Sequence, residues 1–331
     1  MTALNFLRTL CTASVLLAGV AHGATSSFNI GKTEVQQFKL VQPGGPEVEY
    51  FISKTAQPAA LILLLQGSGC MPVFAGLDTP GKRSSNIFGY IDWALQGKYA
   101  VMVVNKPYAP KEHPYNDGTA TACPREFNDY FALDSWVRHV RLALAHARQL
   151  PWVDTRRALV VGVSEGATTA AALAGLDPQV SDVALLGGSG ATQLYDFVLG
   201  AYQGPGGDSG ASARLDALEV TRKQIYAKPD SGTDFAWGHS FKRWSSFFRA
   251  SASANLLKSA ARVYIASGMQ DHNVPILSTE VMASELLAAG RDVSIRRVPN
   301  AGHNLMPDGS SYEAMEAEYQ RILAWYEQAG K

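Results

Sequence analysis

The chain has no surplus of charge. Its 331 residues carry 29 Lys+Arg and 29 Asp+Glu, a formal net charge of zero. A polyanionic partner such as nucleic acid calls for a basic excess or basic runs interleaved with aromatics, and neither is present. Metal-ligand spacings such as His-Glu-x-x-His are missing, and so is a glycine-rich phosphate loop. The sequence therefore offers no metal or cofactor site. There is no internal repeat and no low-complexity tract. Beyond the N-terminus, no apolar run approaches the roughly 20 residues that span a bilayer. Cysteine is scarce, with three in all. What the chain does have is apolar bulk: 47% hydrophobic residues, enough for a sizeable core in one large domain with an insertion, or two modest ones.

Residues 1–23 read as an export signal. Arg8 supplies the positive end, and Leu10 to Val20 is a short apolar stretch interrupted by Thr12 and Ser14. Ala21-His22-Gly23 offers small residues for cleavage. A membrane anchor or a buried first helix would want a longer apolar stretch. Cys11 follows Leu10, where a lipoprotein site wants a small residue. The expectation is a periplasmic or secreted protein, residues 24–331, with no stable membrane anchor. Removing the signal leaves Cys70 and Cys123. An even count in an oxidising compartment suggests one disulfide, against two unrelated buried thiols.

The apolar pattern predicts strands over 33–41, 47–54, 59–65 and 99–104, with a helix over 85–96. A long loop, 106–128, is rich in proline and aromatics. A helix is expected over 129–150, because Leu133, Trp136, Val137, Val140 and Leu144 share one face. A strand ending at Val163, a helix over 165–174 and a strand over 183–186 follow. The alternation then stops. Residues 188–258 carry a glycine-rich stretch and the aromatics Trp237, Phe241, Trp244, Phe247 and Phe248. They read as a cap insertion. Strands over 262–266 and 293–298 and helices over 279–289 and 312–328 complete the chain. Strands alternating with helices imply an α/β fold, a mainly parallel central sheet flanked by helices.

The most informative stretch is Leu159-Val160-Val161-Gly162-Val163-Ser164-Glu165-Gly166-Ala167. An apolar strand stops at Gly-x-Ser-x-Gly and a small-residue helix follows, the order a nucleophile elbow requires. Alone, the pattern is weak. Three further motifs strengthen it. Gly268-Met269-Gln270-Asp271-His272-Asn273-Val274-Pro275 and Ala301-Gly302-His303-Asn304 each directly follow a predicted strand. Leu65-Gln66-Gly67-Ser68-Gly69 follows the strand before the first helix. Ser164, Asp271 and His303 then all stand at C-terminal strand ends, the edge where open α/β sheets gather catalytic groups.

With these motifs in this order, the chain resembles the α/β-hydrolase superfamily over nearly all of its mature length. The resemblance implies the chain order nucleophile, acid, histidine. Ser164 would be the nucleophile, His303 its base and Asp271 the group that orients the imidazole. The N–H groups of Ser68 and Glu165 would meet the developing oxyanion. Gln66-Gly67 stands where many relatives have His-Gly. Some relatives place the acid one strand earlier, which makes Asp177 and Asp182 rivals of Asp271. His139 and His146 lie on a helix and His272 adjoins the acid. Tyr108, His113, Trp237 and His239 are the candidates for lining the substrate pocket. Tyr115 sits beside them, and the aromatic stretch serves either as packing or as a substrate wall. The Glu165 side chain either faces solvent at a helix N-terminus or meets the substrate. Cys70 and Cys123, paired, would fix the oxyanion loop against the long loop.

The function expected is an exported serine hydrolase acting on a carboxylic ester through an acyl-enzyme. A compact aminopeptidase of the same fold is the alternative; the short stretch before the first core strand leaves no room for the propeller of the large exopeptidases. A non-catalytic hydrolase-fold binding protein is the alternative from another class. The partner expected is a small-molecule or peptide substrate.

Overall fold

The computed structural model describes residues 24–42, 44–76, 84–85, 88–112, 119–307 and 312–328. The signal over 1–23, and His113 and Tyr115, lie outside the described residues. In chain order the elements are β1 (Ser26–Ile30), β2 (Thr33–Leu40), β3 (Val48–Ser53), β4 (Ala59–Leu65), β5 (Phe74–Ala75), β6 (Ser84–Ser85), α1 (Phe88–Leu95) and β7 (Ala100–Val104). Then come α2 (Arg125–Tyr130), α3 (Leu133–Ala147), β8 (Val153–Val163), α4 (Glu165–Leu176), β9 (Asp182–Leu186), α5 (Gln193–Gln203) and α6 (Gly207–Ala227). Last are β10 (Phe235–Ala236), β11 (His239–Ser240), α7 (Phe241–Phe247), α8 (Ala252–Leu256), β12 (Arg262–Gly268), α9 (Ile276–Ala288), β13 (Val293–Val298) and α10 (Tyr312–Gln328).

Leu61 to Leu65 explain the architecture. An unbroken apolar run suits a strand covered on both faces. Leu61, Leu63 and Leu65 enter one core, and Ile62 and Leu64 enter the other. Alternate residues of β3 and β8 divide in the same way, with Ile52 and Val160 on the first face and Phe51 and Val161 on the second. The first core is roofed by α3, α4, α8 and α9, through residues such as Trp136, Leu173, Leu256 and Met282. The second is closed by α1 and α10, through Trp93 and Ile322. Helix, sheet and helix make three layers.

The sheet order is β1-β2-β3-β7-β4-β8-β9-β12-β13. From β7 onward every neighbouring pair is parallel, while β1, β2, β3 and β7 pair antiparallel. The mainly parallel sheet is thus as expected. β1 was not expected. It is hairpinned to β2 by Gly31-Lys32, and Gly31 takes the positive φ of +57° that the tight turn demands.

Two departures bear on the site. The helix expected over 129–150 is two helices. Ala132 is extended (φ −143°, ψ 161°), and Ser135 Oγ accepts from its N–H at 3.0 Å, so α3 starts afresh. The stretch between β9 and β12, read only as a cap insertion without strand–helix alternation, is mostly helical. It holds α5, α6, the β10–β11 hairpin, α7 and α8. Among the described residues no helix is long and apolar enough to cross a membrane.

Candidate active site

Ser164 sits between β8 and α4 with φ 55° and ψ −119°, a conformation a β-carbon disfavours and one that costs on the order of 1–3 kcal/mol. Its N–H donates to Leu186 O at 2.8 Å, and its carbonyl accepts from Ala167 N at 2.9 Å. These bonds hold the turn. The flanking glycines are sterically required. A β-carbon on Gly162 would lie 2.2 Å from Gly166 O, and one on Gly166 would lie 2.2 Å from Leu65 O. The spacing Gly-x-Ser-x-Gly is thus the footprint of β8, α4 and β4 in contact.

Asp271 lies in the turn after β12, its side chain fully buried. Oδ1 accepts from the N–H groups of Asn273 and Val274, at 2.8 and 2.9 Å. Oδ2 is 2.8 Å from His303 Nδ1. A carboxylate only accepts, so Nδ1 carries the imidazole proton and Nε2 is left as acceptor. Nε2 is 3.0 Å from Ser164 Oγ. Gly187 backs the imidazole: a β-carbon there would lie 3.0 Å from His303 O and 3.4 Å from Nδ1. The three residues form one continuous hydrogen-bonded row.

The rival acids stand elsewhere. Asp177 pairs with Arg148 at 2.7 Å. Asp182 opens β9, at the opposite sheet edge, and pairs with Arg157 and Arg262 at 3.1 and 2.6 Å. His146 meets Tyr50 Oη, and His139 is buried on α3.

The Gly67–Gly69 loop lies against the serine; a β-carbon on Gly67 would be 3.4 Å from Ser164 Cβ. Gln66, in the place of the more usual histidine, donates from Nε2 to Met71 O at 2.9 Å and closes this loop. Among the described residues the N–H groups of Ser68 and Glu165 donate to no protein acceptor. The next residue but one, Cys70, is disulfide-bonded to Cys123, with Cα atoms 5.8 Å apart.

The Glu165 side chain neither faces solvent nor opens toward a substrate. It is fully buried between Lys106 Nζ, 2.6 Å from Oε1, and the Arg243 guanidinium, 2.9 Å from Oε2. Burial alone would raise its carboxyl, but Lys106, Arg243 and His239 together hold it down at about 2. Sequence reasoning missed Lys106 and Arg243. The available signal was a lysine two residues past the buried strand β7, and an arginine inside an otherwise aromatic stretch.

A scan of family profiles matches residues 74–318 to one described as the alpha/beta hydrolase family. The chain belongs to this family. No curated protein matches it. Among solved structures it is similar to the Pyrococcus horikoshii acylaminoacyl peptidase, with TM-score 0.60 and 12% identity over 89% of this chain and 41% of that one. It is also similar to acetyl xylan esterase 1 from Thermoanaerobacterium, with TM-score 0.56 and 15% identity over 89% and 84% of the two chains. Est1E from Butyrivibrio proteoclasticus follows at TM-score 0.54 and 12% identity, over 89% and 99%. The chain spans less than half the length of the peptidases it matches. Such identities speak for the fold alone.

Within this family fold, the pocket candidates part company. His239 is buried edge-on to Trp244, ring centroids 5.4 Å apart, and its charge bears on Glu165. Trp237 is 41% exposed, with φ 44°, and packs on Phe197 and Trp244 at 4.4 and 5.7 Å. Tyr108, 42% exposed with φ 57°, stands against Tyr130 at 5.8 Å. Among the described residues neither Tyr108 nor Trp237 hydrogen-bonds to Ser164, Asp271 or His303. Open cavities of about 490 and 420 Å³ lie away from these three residues, one beside α3, α4 and α8 and one at the β1–β2 edge. Among the described residues no cluster of His, Cys, Asp and Glu could hold a metal.

Sequence reasoning also missed Asp196, on α5. Burial pushes its carboxyl up to about 7, against hydrogen bonds from Ser189 and Ser278, with the Asp271 charge adding to the rise. Among the described residues its Oδ1 has no hydrogen-bond partner.

Proposed function

We propose that the chain is an exported serine hydrolase that cleaves a carboxylic ester through an acyl-enzyme. The observation that carries this reading is the row Ser164 Oγ, His303 Nε2, His303 Nδ1, Asp271 Oδ2, with separations of 3.0 Å and 2.8 Å. A serine hydroxyl is a weak nucleophile unless a base stands within hydrogen-bond reach. His303 is that base. It takes the Ser164 proton as Oγ attacks the ester carbonyl, and Asp271 stabilises the imidazolium that forms. The carbonyl oxygen becomes an oxyanion, met by the N–H groups of Ser68 and Glu165. Collapse of the intermediate breaks the ester C–O bond, and His303 returns the proton to the departing alcohol. Water, activated by the same imidazole, then attacks the acyl-enzyme and releases acid and free Ser164.

The segment 188–258 serves as the cap that chooses the substrate, with Trp237, His239 and Tyr108 toward the acyl or alcohol group. Export is supported by the cysteine pair and by the N-terminal signal pattern. A peptidase reading has in its favour the peptidases among the structural neighbours, the acylaminoacyl peptidase included. Its weakness is that the similarity covers only 41% of that chain. A short-chain acyl ester and an aminoacyl amide, offered in parallel, separate the two. The ester is expected to turn over and the amide to lag far behind; faster amide cleavage would move the assignment to peptidases, and no turnover of either would favour a binding protein.

A further inference from the structure

Three ionised side chains are buried together beside Ser164. Lys106 follows β7, Glu165 opens α4 and Arg243 lies on α7. Their side chains are 0%, 1% and 5% exposed. Burying ions costs several kcal/mol each, and apolar replacements are often as stable, so stability alone does not account for the cluster.

The bonds of Lys106 account for it better. Its ammonium has three donors and uses each: Gly67 O at 2.6 Å, Gly69 O at 2.9 Å and Glu165 Oε1 at 2.6 Å. The carbonyl of Gly67 and the N–H of Ser68 belong to one peptide plane, and the described residues contain no cis peptide. In a trans peptide the two groups point in opposite directions. An ammonium that holds the Gly67 oxygen therefore aims the Ser68 N–H the other way. The same ammonium holds the side chain of Glu165, whose own N–H is the second oxyanion donor. One cation thus fixes the peptide that carries the first donor and anchors the side chain of the residue that carries the second. The chain of contacts then continues to α7. Arg243 reaches Glu165 Oε2 at 2.9 Å, and its guanidinium stacks on Trp244 and Phe247 at 4.1 and 4.4 Å.

We propose that Lys106 is the positioning residue of the oxyanion hole, and that Arg243 couples the seat of α7 to that hole through Glu165. The inference rests on the serine-hydrolase reading above. It makes oxyanion stabilisation depend on how the β9–β12 segment is docked.

Lys106→Met is the test, because it leaves Glu165 and Arg243 as a balanced pair. The rate of fluorophosphonate labelling and kcat/KM on a short acyl ester are expected to fall together by about 10²-fold, the loss typical of a misplaced oxyanion donor. KM should move less than about threefold, since ground-state contacts are untouched. Arg243→Lys, which keeps the charge and loses the stacked fork, should lower both rates less. The double variant should be no slower than Lys106→Met alone, because coupled residues do not add. A Lys106→Met protein that labels within about threefold of wild type overturns the proposal, as does a double variant whose losses multiply in full. If Lys106→Met fails to fold by near-UV circular dichroism, Lys106→Arg replaces it. A planar fork cannot serve the three acceptors, so the same fall is expected and an unchanged rate overturns. Wild-type protein inert to the probe overturns the hydrolase reading and this inference with it; wild type that labels beside an equally fast variant overturns the inference alone.

Discussion

Asp271 has both oxygens occupied, one by backbone N–H groups and one by His303. Asn at this position can still accept from Asn273 and Val274, but its amide nitrogen would meet Nδ1 as a donor and impose the wrong tautomer. Asp271→Asn should therefore fold normally and lose roughly 10⁴ in kcat, as in other triads; steady-state kinetics beside a thermal melt check both halves. Asp196 carries a different prediction. Its carboxyl is raised from 3.8 to about 7 by burial. A raised acid binds a proton more tightly folded than unfolded, so stability is full below about pH 4 and is lost as pH climbs toward 7. Asp196→Asn removes that loss. It should melt several degrees above wild type at pH 8 and show no such gain at pH 4. Ser164, Asp271 and His303 were legible in the sequence because each follows a strand through a short glycine-marked turn. Lys106 and Arg243 were not, because their partner Glu165 is 59 and 78 residues away and only the tertiary fold brings them to it.

At the scale of elements, legibility follows burial. β4, β12 and the second half of β8, from Ala158 to Val163, are apolar on both faces and were plain in the sequence. α6 was not: only Ala211, Leu218 and Ile225 of its 21 residues are buried. A stripe one residue wide, among glycines and serines, carries little periodic signal. The aromatic stretch was read as packing or a substrate wall, and packing accounts for most of it. Phe241, Trp244 and Phe248 form a small core with Ile225. The Cys70–Cys123 bridge also acts at this scale. It ties the end of the Gly67–Gly69 loop to the approach to α2, closing a loop 53 residues long. Opening such a loop typically costs about 2–4 kcal/mol. Reductant should lower the melting temperature, and Cys123→Ala should slow labelling of Ser164 as the Gly67–Gly69 loop loosens. Two reactive thiols per chain in denatured, unreduced protein would contradict the pairing.

Over the whole molecule, topology does the assembly. β8, β9, β12 and β13 are consecutive parallel neighbours, so the chain delivers Ser164, Asp271 and His303 to one edge from strands that share hydrogen bonds. The same sheet sends Asp177 and Asp182 toward the other edge, where arginines hold them. The overall α/β plan was legible because strand and helix periods alternate so regularly; the internal structure of the β9–β12 segment was not, because its helices are short or bury only a narrow stripe, as α6 does. The central claim is that this edge makes Ser164 a nucleophile. Fluorophosphonate labelling of the intact protein, with the adduct located by mass spectrometry, tests it most directly. The account predicts one adduct per chain, on Ser164, abolished in Ser164→Ala. No adduct, or an adduct that persists in Ser164→Ala, would contradict it.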